Sequence, residues 1–88
     1  MPYDIQFYEN ARRQILEIDA SVRERLLKRI ERMQQEPPGR HLQFGLPYFV
    51  IEVGQYRIVY KYYEEKELKI IYFIGTHKEY EKWYSGRN

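Results

Sequence analysis

The sequence predicts a single α+β domain: an N-terminal strand and a helix pair packed on a mostly antiparallel, twisted sheet, closed by a short C-terminal helix. Three observations predict it. Eighty-eight residues allow one domain, spanning 1–88. Apolar residues in the first half recur in steps of three and four, the helical period. After Pro47 the period drops to alternation, broken by Gly54-Gln55 and by the polar stretch Glu64 to Glu67, as in consecutive antiparallel strands.

Taken in order, YDIQF (Tyr3 to Phe7) alternates and reads as a strand. ENARRQILEID follows, with Ala11, Ile15 and Ile18 at helical spacing. Asp19 or Ser21 supplies the cap of a second helix. In SVRERLLKRIERMQQE, Val22, Leu26, Leu27, Ile30 and Met33 form one apolar stripe on an otherwise charged helix. Pro37-Pro38-Gly39 stops it. PYFVIEV and YRIVYKYY are two strands around the tight turn Gly54-Gln55. LKIIYFI is a third, whose unbroken apolar run implies burial on both faces and a central position. In GTHKEYEKWY, Thr76 caps a short helix and Glu79 lies three residues on, the spacing of a capping box.

A two-residue loop at Gly54-Gln55 fixes the pairing of its strands. Val53 then faces Tyr56, Glu52 faces Arg57, Ile51 faces Ile58, Val50 faces Val59 and Phe49 faces Tyr60; Tyr48 faces Lys61. Side chains alternate between faces. Phe49, Ile51, Val53, Tyr56, Ile58 and Tyr60 make the helix-covered core face. Tyr48, Val50, Glu52, Arg57, Val59 and Lys61 make the other, a mixed surface with two cations. Arg57 raises the functional question. On spacing alone a cross-strand ion pair to Glu52 is the ordinary reading; the other is a phosphate clamp on a rigid strand.

Composition narrows the classes. The chain has no cysteine, which excludes a disulfide framework and a thiolate metal site. No apolar run approaches the roughly 18 residues of a membrane span. MPYDIQFYEN lacks a signal-peptide pattern, so the cytoplasm is the expected compartment. The formal net charge is only +2, but the basic excess is concentrated. Residues 20–40 carry Arg23, Arg25, Lys28, Arg29, Arg32 and Arg40 against Glu24, Glu31 and Glu36. Residues 68–88 carry Lys69, Lys78, Lys82 and Arg87 against Glu79 and Glu81. That distribution fits nucleic acid binding, and equally a solvated helix face.

The element order, together with VGQYRIVYK and IYFIGTHKEYEKWY, resembles the RelE/ParE superfamily of toxins from toxin–antitoxin pairs, and its RelE-like mRNA interferases in particular. The resemblance spans the chain, and its specific part runs from Gly45 to Tyr84. It implies a RelE-like domain that cleaves mRNA at the ribosome, blocks translation, uses no metal or other cofactor and is silenced by a cognate RelB-like antitoxin. The toxin alone is expected to be monomeric, and heteromeric with its antitoxin. Within the resemblance, Arg57 is the arginine that contacts the scissile phosphate. His77 stands two residues after the glycine of the last strand, where members carry arginine or histidine. Tyr80 and Tyr84 both compete for the place of a C-terminal tyrosine.

Some ribosome-dependent members carry two lysines on the strand before the turn. Those positions are Tyr48 and Val50 here; Arg40 and His41 are the nearest basic substitutes. The general base is therefore left open. The chemistry needs a base for the 2′-hydroxyl, an acid for the leaving 5′-oxygen and positive charge for the phosphorane. Imidazole titrates near neutral pH and suits His77 to proton transfer. A guanidinium stays charged and forks onto phosphate oxygens, which suits Arg57. Lys61 and Lys78 are candidates for flanking phosphates, and Tyr48, Tyr80 or Trp83 for stacking on a base. The competing readings are a ParE-like gyrase-directed toxin and a catalytically inactive binding module of the same fold.

Overall fold

The computed structural model describes residues 2–38 and 48–85. The elements run β1 (Asp4–Phe7), α1 (Glu9–Glu17), α2 (Ala20–Arg32), β2 (Phe49–Val53), β3 (Tyr56–Tyr63), β4 (Leu68–Thr76) and α3 (His77–Ser85), with a 3₁₀ turn at Glu64–Lys66. The sheet has the order β1-β4-β3-β2. β1 is parallel to β4; the other pairs are antiparallel, so the predicted α+β class and the central place of β4 hold.

The hairpin register matches the sequence reading from Phe49–Tyr60 to Val53–Tyr56, Glu52 opposite Arg57 included; the expected Tyr48–Lys61 pair lies beyond the start of β2. Gly54 supplies the reason with φ +58 at the first turn position, the left-handed conformation that a II′ turn places there. In β4 an extra residue enters: Val59 pairs with Phe73 but Tyr60 pairs with Ile71. This bulge at Tyr72 lets Tyr72 and Phe73 both serve the second face, while Ile71 and Ile74 serve the first.

The helix pair covers the first face. Ala11, Ile15, Leu26, Ile30 and Met33 pack with Phe49, Ile58, Tyr60, Ile71 and Ile74, and Ile51, Val53 and Tyr56 flank them, so the expected core face is the observed one. Leu27 departs from the predicted stripe: it is 45% exposed, on the outer side of α2. Asp19, not Ser21, caps α2. Its carboxylate accepts from the Ser21 backbone N–H at 3.2 Å and from the Ser21 hydroxyl at 2.6 Å. These bonds hold the Asp19 carboxyl below its ordinary 3.8. A depressed carboxyl stabilises the fold above its unfolded value, and that stability is lost as pH falls through the folded value. Asp19→Ala is therefore expected to lower the thermal midpoint at neutral pH, and the difference from wild type to close below about pH 3.8; melting curves across pH 2–7 check it.

α2 ends at Arg32, ahead of the prolines expected to stop it. The next turns tighten to i→i−3 bonds, Gln34 to Glu31 at 3.2 Å and Gln35 to Arg32 at 3.0 Å. Two devices hold this exit. Arg29 and Arg32 draw Glu36 back, at 2.8 and 3.4 Å. Lys69, 1% exposed on the helix side of β4, donates to the carbonyls of Met33 at 2.7 Å and Glu36 at 2.6 Å. A strand lysine thus serves as the C-terminal cap of a helix.

The second face is less open than expected. α3 lies across it, and Trp83 stacks on Phe73 at 5.3 Å. Tyr48, Val59 and Phe73 form a small second core there, flanked by Val50, Tyr72, Tyr80 and Trp83.

Candidate functional site

The start of α3 is pinned to the β2–β3 turn. The His77 backbone N–H donates to the Gln55 carbonyl at 2.7 Å. The predicted capping box forms: the Thr76 N–H donates to Glu79 Oε1 at 2.8 Å and the Glu79 N–H to Thr76 Oγ1 at 3.2 Å. Gly75, opposite Arg57 on β4, leaves room for this. A Cβ there would stand 2.9 Å from both Glu79 Oε1 and Phe73 Cζ.

Together these contacts make one cleft of about 510 Å³, lined by Gly54, Gln55, Arg57, Thr76, His77 and Lys78. Arg57 is its least exposed cation, with 13% of its side chain accessible. Nη1 donates to the Tyr56 carbonyl at 3.0 Å and the Gly54 carbonyl at 3.2 Å. The Glu52 carboxylate stands at 3.9 Å from Nε and is itself mostly exposed. The ordinary ion pair therefore exists but is the looser contact; turn carbonyls hold the guanidinium. A cation so held and so little hydrated acts strongly on nearby negative charge.

His77 is half exposed, and its Nε2 lies 3.5 Å from Glu81 Oε2, one helical turn on. A carboxylate in that position orients the ring. Sequence reasoning missed Glu81; its i,i+4 spacing from His77 was the available signal. Tyr80 follows on the same side, ring centroid 6.5 Å from His77, and Tyr84 lies 5.0 Å beyond it. Burial pushes the Tyr80 phenol above its ordinary value, Tyr84 adds to this, and Arg57 pulls the other way. Tyr80 is thus an O–H donor at neutral pH and not a base.

The structure brings Arg57, His77 and Lys78 to one cleft, with Tyr80 and Tyr84 along the adjoining helix. It does not bring Tyr48 or Lys61 there. Tyr48 is 6% exposed, edge-on to Trp83 at 5.3 Å, so its expected stacking on a base is corrected: α3 occupies that ring. Lys61 lies further along β3, its ammonium over the Tyr48 and Tyr72 rings at 5.1 and 5.4 Å. Arg40 and His41 lie outside the described residues. Among the described residues, no three His, Cys, Asp or Glu side chains form a group that could hold a metal ion, and no helix is long and apolar enough to cross a membrane.

No protein-family model and no curated protein sequence matches the chain. Solved structures do. The isolated Escherichia coli RelE toxin superposes with a TM-score of 0.75 at 24% identity, over 84% of this chain and 83% of that one. A toxin–antitoxin complex, RelBE, from Mycobacterium tuberculosis gives 0.73 at 21% identity, over 86% and 92%. A RelB–RelE antitoxin–toxin complex from Methanococcus jannaschii gives 0.69 at 15%, over 89% and 96%. At these identities the likeness establishes the fold: the chain has the fold of RelE toxins.

Proposed function

We propose that this RelE-fold chain is the toxin of a toxin–antitoxin pair, a metal-independent endoribonuclease that cuts mRNA at the ribosome. The observation that carries the reading is the convergence of Arg57, His77 and Lys78 on one cleft pinned at both ends, by the Gly54-Gln55 turn and by the α3 cap.

The residues divide the chemistry between them. Arg57 meets the non-bridging oxygens of the scissile phosphate and stabilises the charge that builds as the 2′-hydroxyl gives up its proton to water and its oxygen attacks phosphorus. Lys78 holds a neighbouring phosphate. His77, its ring oriented by Glu81, delivers a proton to the departing 5′-oxygen. Tyr80 donates a hydrogen bond to the phosphate, and Tyr84 extends the same helix face for a base. The mRNA in the decoding site is the substrate, and a RelB-like antitoxin silences the toxin by burying or displacing α3. On its own the toxin is a monomer of one domain, and it acts in the cytoplasm.

Incubation of ribosome-bound mRNA with the purified protein, either untreated or first treated with a chelator that is then removed, tests the reaction class. Equal cutting in both arms is expected. Cutting that stops with chelator contradicts the metal-independent reading, and growth arrest on expression without RNA cleavage would move the site to a gyrase-directed or purely binding role.

A further inference from the structure

The second face of the sheet carries a feature that the cleft does not use. Tyr8, just past β1, stacks on Tyr72 with ring centroids 4.9 Å apart and planes 27° from parallel, yet it is 50% exposed. The Tyr63 hydroxyl meets the Tyr72 hydroxyl at 3.0 Å, and Tyr63 is 36% exposed. The Lys61 ammonium sits over Tyr72 and Tyr48. Among the described residues no carboxylate lies within ion-pair distance of Lys61. The patch therefore combines outward aromatic faces, a cation without a carboxylate counter-ion among the described residues, and a pair of phenols.

Its place on the fold indicates what it fits. Arg57, Val59, Lys61 and Tyr63 alternate on one face of β3, which puts Tyr63 about 20 Å from Arg57 at the rise of a strand. The cleft and the aromatic patch are the two ends of the same face, with Val59 and Trp83 between them. The Tyr63 hydrogen bond, then burial, push the Tyr72 phenol up to about 12. The Tyr72 hydroxyl thus stays neutral at physiological pH. Aromatic rings beside a cation, on a sheet, are how proteins hold unpaired nucleotides: bases stack and phosphates meet the charge. An acidic protein segment would also satisfy Lys61, but continuity with a phosphate-binding cleft favours nucleic acid.

We propose that Tyr8, Tyr72, Tyr63 and Lys61 form a second RNA subsite, which stacks a base on the outer face of Tyr8 and holds its phosphate on Lys61, several nucleotides from the scissile bond. This rests on the RNA-cleaving reading of the cleft. The subsite fixes the register of the strand without taking part in bond breaking. The run Glu64, Glu65 and Glu67 follows Tyr63 in sequence and bounds the subsite at the β3–β4 turn.

The test is equilibrium binding of 2′-O-methyl RNA, which lacks the attacking hydroxyl, as a trinucleotide and as a decanucleotide. The expected result is that Tyr8→Ala weakens the decanucleotide about ten-fold, the size of one base–aromatic stack, and leaves the trinucleotide unchanged. Tyr8→Trp restores the loss, which a merely structural role for Tyr8 would not predict. Lys61→Met weakens the decanucleotide and lowers its salt slope by about 1. If trinucleotide binding depends on Arg57 but Tyr8→Ala leaves the decanucleotide unchanged, the subsite is overturned, the cleft stands, and the face belongs to a protein partner. If wild type binds neither RNA, the subsite and the cleft reading both fail.

Discussion

Arg57→Ala is expected to lower the RNA cleavage rate by about 10²- to 10³-fold, the usual cost of removing one preorganised donor from a developing anion. The fold should survive. Arg57 stands on β3 at the edge of the second face, and its hydrogen bonds go to carbonyls of its own turn. Arg57→Lys should recover only part of the rate, since an ammonium lacks the planar fork. Single-turnover cleavage with saturating enzyme, beside a thermal midpoint for each variant, separates chemistry from folding. A variant that melts as wild type and cuts as wild type would remove Arg57 from the reaction.

The largest effect on stability is expected at Lys69. Lys69→Met keeps the apolar stem but leaves the Met33 and Glu36 carbonyls without their donor. An unsatisfied buried polar group costs about 1–3 kcal/mol, and each kcal/mol shifts the midpoint of a domain this size by roughly 4–8 °C. Among the described residues no buried side-chain nitrogen or oxygen lacks a partner, so the substitution breaks a fully satisfied arrangement. Burial pushes the Lys69 amine below its ordinary 10.5; Glu36 opposes this and Arg29 adds to it. In the window between the folded value and 10.5 the unfolded chain binds more protons, so wild type gains stability as pH rises. The gap between wild type and Lys69→Met should therefore widen on the alkaline side. Denaturant titrations from neutral pH upward measure it.

What the sequence made legible was local. The Glu52–Arg57 pairing followed because a two-residue turn leaves one register. The Thr76–Glu79 box was readable because its spacing is fixed by a single helical turn. Arg57, His77 and Lys78 were named from motif and resemblance, and the structure places them on one cleft.

The unreadable parts depended on distance along the chain. Lys69 alternates with apolar residues like an outward strand lysine, and its partners lie 33 and 36 residues away. The bulge at Tyr72 has no sequence mark, yet it decides which aromatics reach the second face. Tyr48 was misplaced for the same reason: strand alternation gives the face, but only the path of α3 shows that the face is covered. The platform of Tyr8 on Tyr72 joins the end of β1 to the middle of β4, 64 residues on, and could not be seen before the sheet order was known.

The most direct test of the central claim is the chemistry of the cut ends. Ribosome-bound mRNA is incubated with the wild-type protein and the termini are mapped. Attack by the 2′-oxygen at the Arg57–His77 cleft predicts a 5′-hydroxyl on one fragment and a 2′,3′-cyclic phosphate, or the 3′-phosphate it hydrolyses to, on the other, with both lost in Arg57→Ala. Fragments that carry a 5′-phosphate and a 3′-hydroxyl would show that water and not the RNA's own 2′-oxygen was the nucleophile, and would contradict the mechanism.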